Sequence, residues 1–265
     1  MKIAFQAGVN VVTLLAFRFL FSAMFCFVAL QVTRQSKGLP LNQRWRVIFL
    51  GGVHVAVAAF YGLSVNLLPA SLTGLVFYMY PALVAALAVC IGWEKINRLK
   101  IAAIIICFAG LLQVMGVSFG ELSKTGLAFG LVAAFGQACH VLLSHHIIQN
   151  LSPLLTVAWS ALATSAAFFL YGISSGTLEW NATLTGWGAI LGTGFFANFI
   201  GIICFFKGMR LTGPSDASVV MNLEPVLTVV LSVLLLGESF GAWQGVGGAI
   251  IICGLYILHK GESAI

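Results

Sequence analysis

Charge is what this sequence has least of. Only 8% of its 265 residues are Asp, Glu, Lys or Arg, against roughly 25% in ordinary soluble domains. So thin a supply cannot cover the surface of a water-soluble fold of this length. Acidic residues are scarcer still, seven in all, so any acid inside an apolar run asks for a reason. Cysteine supplies neither a disulfide framework nor a metal knot. The six (Cys26, Cys90, Cys107, Cys139, Cys204, Cys253) all fall in apolar runs, and no two stand in CxxC spacing. They read as small hydrophobes. P-loop, nucleophile-elbow and zinc-helix motifs are missing, which excludes nucleotide-driven pumping within this chain and implies no cofactor. No polar block is long enough for a soluble domain; the longest, Gln31–Arg46, reads as a loop. The first apolar run retains Arg18 and has no small-residue cleavage site, so it does not read as a secretory signal.

What is present is continuous hydrophobicity, 60% of the chain. Apolar runs of about 20 residues, the length a hydrocarbon core of about 30 Å demands, recur throughout. They predict an all-α integral membrane protein with nine spans: 8–30, 47–68, 71–92, 99–117, 126–147, 153–173, 187–206, 215–236 and 241–258. The runs are unbroken rather than alternating, which fits helices and not barrel strands. Trp45, Trp93, Trp180, Trp187 and Trp243 stand at run ends, where indoles prefer the headgroup layer.

The net charge of +6 reads as loop bias in a bilayer protein rather than as a nucleic-acid surface. Arg34, Lys37, Arg44 and Arg46 follow the first span, Lys95, Arg98 and Lys100 the third, Lys207 and Arg210 the seventh, and Lys260 the ninth. Alternate connections carry only Lys2 and Lys124. The basic set is expected in the cytoplasm, with the C-terminus inside and the N-terminus of this chain outside.

The chain also resembles itself at an offset of 144 residues. FYMYPALVAALAVCIGWEKI (77–96) overlays MNLEPVLTVVLSVLLLGESF (221–240) without a gap, setting Pro81 on Pro225 and Glu94 on Glu238. Chance matches of Leu and Val weigh little, but a Pro and a Glu thirteen residues apart in both halves weigh more. The predicted repeats are 1–118 and 125–259. An odd number of spans separates equivalent positions, so the repeats are inverted, and the span at 126–147 has no counterpart in the first. The expectation is four plus five helices of a five-plus-five design, an architecture common in secondary transporters.

This pattern of proline, long apolar run, terminal Glu and Gly-rich helix resembles the EamA-type branch of the drug/metabolite transporter superfamily. Residues 217–258 are similar to the family's second-half signature, and LLAFRF (14–19) resembles the start of its second helix. The likeness runs from about residue 5 to 258. It implies a ten-helix carrier of the inner membrane, often an exporter of amino acids, other metabolites or toxic compounds, from which this chain departs by lacking the first helix.

Glu224 is the most informative candidate. It lies fourteen residues before Glu238, roughly 20 Å along a helix, and an acid at that depth costs roughly 2.5–3.5 kcal/mol on insertion scales. A protonated carboxyl at an aqueous cavity is the cheaper state, which would couple transport to protons; a plainer role is an interhelical hydrogen bond. Asn222, Tyr78 and Gln137 are expected to line the same cavity, with Arg18, near mid-span, a further candidate that needs a partner. Pro81 and Pro225 each remove a helix hydrogen bond and are expected to free the carbonyls of Phe77 and Met221, as pivots or as static kinks. Glu94 and Glu238 read as solvated helix ends. His140, Ser144 and His145 share a face, without the carboxylate or Cys spacing of a metal site. Gly126/Gly130, Gly188/Gly192 and Gly241/Gly245 suggest close helix packing. The function expected is a secondary carrier for a small molecule. Alternatives are a truncated chain that inserts without transporting, and a lipid-modifying enzyme using His145 and His146.

Overall fold

The computed structural model describes residues 2–35, 38–95, 97–115, 123–236 and 242–262, and the structural statements below concern these. Their regular structure is helical throughout. In chain order the helices are α1 (Lys2–Gln6), α2 (Val11–Val32), α3 (Leu41–Val65), α4 (Ala70–Phe77), α5 (Tyr80–Cys90), α6 (Arg98–Val114), α7 (Lys124–Ile148), α8 (Pro153–Ser174) and α9 (Leu184–Gly192). A π-helical stretch, Thr193–Gly201, leads into α10 (Ile202–Thr212), followed by α11 (Pro214–Val220), α12 (Leu223–Leu236) and α13 (Ala242–Glu262).

Local chemistry sets several starts. Asn10, Asn97, Ser152 and Thr183 each accept a hydrogen bond from the amide three residues on, satisfying a donor that the first helical turn leaves free. Pro153 then opens α8, where a missing N–H costs nothing.

Seven stretches are long and apolar enough to cross a membrane: Val11–Val32, Leu41–Val65, Ser71–Cys90, Lys124–Ile148, Pro153–Ser174, Leu184–Thr212 and Ala242–Lys260. The other two predicted spans are helical but do not qualify by length. The span 99–117 is α6, 17 residues long, and 215–236 is divided between α11 and α12, of 7 and 14 residues.

The divisions fall where the prolines predict. α4 ends at Phe77; the Tyr78 and Met79 amides turn back to the carbonyls of Gly74 and Val76 at 2.8 and 3.2 Å, and Pro81 sits in the first turn of α5. α11 ends at Val220, the Met221 and Asn222 amides reach Ser218 and Val219 at 3.1 and 3.0 Å, and Pro225 lies in the first turn of α12. One detail differs from expectation. The Met221 carbonyl is not left free by Pro225, because the Glu224 amide donates to it at 2.9 Å. A tightened i→i+3 turn has taken the acceptor that the proline released.

The chain forms two compact units: Met1–Val55 with Leu143–Leu211, and Ala56–Leu142 with Thr212–Ile265. Their boundaries fall inside α3 and α7, so each unit draws on both halves of the sequence. In the first, α2 packs on α8, the π-helical stretch and α9. Phe17 is its hub, edge-on to Phe169, Trp180 and Trp187 at centroid distances of 4.9, 5.6 and 4.7 Å, geometry that aromatic quadrupoles favour. Two buried hydroxyls find backbone partners: Ser165 donates to the Ala16 carbonyl at 2.8 Å and Thr164 to that of Ser160 at 2.9 Å, with the Gly51 carbonyl 3.3 Å away.

The second unit is built around α6 against α13 and α5 against α11. The α6–α13 seam is glycine-made. A β-carbon at Gly110 would come within 2.7 Å of the Gly247 carbonyl oxygen, and one at Gly254 within 2.6 Å of the Cys107 sulfur. The Cys107 thiol donates to the Ile251 carbonyl at 3.7 Å. Gly126 and Gly130 are close-packed as expected, against Leu67, Leu68 and Ser64. Gly188 and Gly192 are not: a β-carbon at either would meet no neighbouring element within 4 Å. Gly241 and Glu238 lie outside the described residues.

Candidate functional site

Both helix breaks belong to the second unit, and each carries polar groups. The break after α4 bears Tyr78 and Tyr80; that after α11 bears Asn222 and Glu224. The Tyr78 hydroxyl lies within hydrogen-bonding reach of the Glu224 carboxylate. Tyr61, on α3, and Tyr80 lie close enough to feel the same charge. Phe77 ties the phenols together, its ring 5.2 Å from Tyr61, 6.2 Å from Tyr78 and 5.7 Å from Tyr80; Tyr78 and Tyr80 are 6.4 Å apart. Glu224 is exposed, Tyr61, Phe77 and Tyr78 are half-buried, and Tyr80 is buried. A carboxylate thus stands at the accessible edge of an aromatic cluster.

The remaining candidates sit elsewhere. Asn222 is buried against α6, hydrogen-bonded to the Cys107 thiol, and its Oδ1 has no partner among the described residues. Gln137 is half-buried on α7. Arg18, in the first unit, is half-buried on α2 with its guanidinium 4.9 Å from the Phe19 ring centroid. Within the second unit the structure therefore brings Glu224 to Tyr78 and sets Asn222 against α6.

A second polar cluster was not anticipated. Lys100 Nζ lies 2.8 Å from Glu94 Oε2 and 2.8 Å from Asp216 Oδ1, and the three side chains are 10–14% exposed. The contact with Glu94 is an aligned hydrogen bond; that with Asp216 Oδ1 is a close approach of charges at a poorer angle. The Ser215 amide donates to Glu94 Oε1 at 3.1 Å. Gly213 makes this approach available: its φ of +87° is a left-handed value, and a β-carbon there would come within 2.7 Å of Glu94 Oε1. Burial pushes the Glu94 carboxyl up, but the hydrogen bonds from Lys100 and Ser215 outweigh it and hold the group below its ordinary value. Glu94 is thus not the solvated helix end its position suggested. The fold brings the helix starts of α6 and α11 beside it, pairings that sequence spacing does not display. Among the described residues no three His, Cys, Asp or Glu side chains gather closely enough to hold a metal ion.

Long apolar helices, two of the spans broken beside prolines, define a multi-pass helical membrane protein. The model of the EamA-like transporter family matches residues 1–116 and again 124–259. The chain belongs to that family. It is 26% identical over 187 residues to the uncharacterized transporter YxxF of Bacillus subtilis (strain 168), covering 68% of this chain and 58% of that protein. It is 26% identical over 206 residues to the probable amino-acid metabolite efflux pump of Salmonella typhimurium, covering 72% and 67%. The first relatives named by similarity are matched over about three fifths of their length, 58% and 61% for the two from Bacillus subtilis. A protein of solved crystal structure shares the fold with a TM-score of 0.85 over 97% of this chain and 90% of that one, at 21% identity.

Proposed function

We propose that this chain is a secondary carrier that exports a small metabolite, amino acid or drug-like compound by alternating access, with Glu224 binding either a proton or a cationic group of the substrate. One observation carries the reading: the exposed carboxylate sits at a helix break, within reach of a tyrosine at a second break. Discontinuous membrane helices are where carriers build their sites, because interrupted backbone is tolerated only where it lines a cavity or is covered by protein. The name of the Salmonella relative, "probable amino-acid metabolite efflux pump", agrees in substrate class and direction.

An inverted repeat is part of the proposal. Two successive matches to one family model support it. So does the α6–α13 seam: adding or subtracting 144 turns the Gly110–Gly247 contact into Gly254–Ala103, and both contacts are present. The Cys107–Ile251 hydrogen bond, between residues 144 apart, maps onto itself. A twofold axis through that bond, in the membrane plane, accounts for all three.

The test is export from proteoliposomes under an imposed pH gradient. Glu224→Gln keeps the volume and removes the charge, and uptake or efflux is expected to fall at least tenfold or to lose its dependence on the gradient. Transport at the parental rate with unchanged pH dependence would reduce Glu224 to a structural hydrogen bond.

A further inference from the structure

A proton needs only the carboxylate, and the structure supplies more than that. Three half-buried rings (Tyr61, Phe77 and Tyr78) and the buried Tyr80 form one cluster with centroids 5.2–6.4 Å apart, and its phenols lie near Glu224. Aromatic faces carry negative quadrupole potential and attract weakly hydrated cations, most strongly where water is thin. Small hard cations are served poorly here, since they demand several oxygen ligands. An anionic substrate would meet the carboxylate directly.

We propose that the Tyr61–Phe77–Tyr78–Tyr80 cluster with Glu224 is a recognition site for an organic ammonium ion, an alkylamine cation or a quaternary ammonium group. The inference rests on the carrier reading for its place in transport, but the site itself is defined by binding. The cation seats its charge against Glu224 and its alkyl substituents against the rings of Tyr61 and Phe77. The Tyr78 hydroxyl holds the carboxylate in position, so it is a positioning group, whereas its ring contributes contact. On this geometry charge and ring faces contribute separately, and each has its own variant.

The experiment uses the purified chain in maltoside micelles and titration calorimetry with choline and its uncharged isostere 3,3-dimethylbutan-1-ol. The cation is expected to bind at least about tenfold more tightly than the isostere, as charge attraction and stacking on several rings require. Glu224→Gln should abolish that preference, and Tyr61→Leu should weaken choline by about fivefold while leaving the isostere within about twofold. Tyr78→Phe keeps the ring and is expected to stay within about threefold of the parent. Equal affinity for cation and isostere in the parental protein overturns the proposal without recourse to any variant, and so does undiminished choline binding by Glu224→Gln. Proteoliposomes then separate the two readings. Choline binding without movement of any solute keeps the site and refutes the carrier; transport of neutral or anionic solutes without ammonium binding does the reverse.

Discussion

Replacing Lys100 by Met removes one charge from a buried group of three and leaves the other two facing each other. Glu94 and Asp216 both lie 2.8 Å from the same nitrogen, so those oxygens are at most twice that distance apart. With side chains only 10–14% exposed, water screens the remaining repulsion poorly. Truncating one partner of a buried pair costs about 3–5 kcal/mol; the residual exposure favours the lower end. For a chain of this size about 3 kcal/mol corresponds to a melting shift of about 6–12 °C. The assay is thermal unfolding in maltoside micelles, followed by a thiol-reactive dye that reports exposure of the buried Cys26 and Cys107. Lys100→Arg should remain within about 2 °C of the parent. Neutralising all three groups together (Lys100→Met, Glu94→Gln, Asp216→Asn) should recover part of the loss, since an uncharged set carries no unpaired buried charge.

The same variant has a pH signature with a defined sign. In the parent, Glu94 is held below its ordinary value, so its contribution is fully present above the ordinary carboxylate range and is lost as pH falls through the lowered value. Acidification therefore destabilises the parental protein. In Lys100→Met, protonating either acid relieves repulsion, and acidification should raise the melting temperature. A shift below about 2 °C, or a pH dependence of the parental sign in the variant, would show that the three charges are not coupled as their distances imply.

Gly110→Leu should lower the melting temperature by an amount equivalent to about 1–3 kcal/mol of overpacking, because even a β-carbon there lies 2.7 Å from the Gly247 carbonyl. Gly188→Leu, with nothing within 4 Å, should leave it unchanged in the same thermal assay. Single cysteines placed in 31–46 and after 260 are expected to label only from the cytoplasm, and those in 176–186 only from outside; cytoplasmic labelling near Glu179 would overturn the orientation. An experimental structure should superpose residues 47–117 on 187–258 by a twofold in the membrane plane with Pro81 over Pro225, and parallel Pro-bearing helices would refute that repeat.

The helices were legible because a bilayer imposes a length and an unbroken apolar pattern, and both can be counted along a sequence. The breaks at 78–79 and 221–222 were legible because proline lacks an N–H wherever it stands. The Tyr78–Glu224 pairing was foreseen only as membership of one cavity. It became specific when α5 and α11 were seen to pack together, since Tyr78 and Glu224 are far apart in sequence. The charge cluster was missed for a different reason. Lys100 reads as cytoplasmic loop charge and Glu94 as a solvated helix end, and Asp216 merely falls near the start of the predicted span 215–236. Only the fold carries the start of α11 to Glu94, through the left-handed turn at Gly213. The tyrosine ring system had a visible signal, FYMYP at the break itself, but its third phenol comes from α3.

Two acids eight residues apart in sequence, Asp216 and Glu224, show how the same group takes different parts in one bundle. Asp216 lies against Lys100, which neutralises it at every pH where the lysine is charged, so nothing mobile is required beside it. Glu224 has phenols around it instead, and phenols donate hydrogen bonds without supplying a counter-charge. Among the described residues no salt bridge holds Glu224. On the carrier reading proposed above, a proton or a cation from outside the protein is what balances this exposed carboxylate. A fixed pair locks helix starts together, whereas an acid that must borrow its counter-charge gains and loses it as conditions on the two sides of a membrane differ. That difference, more than depth in the bilayer, is the physical ground for proposing exchange at Glu224 and scaffolding at Asp216.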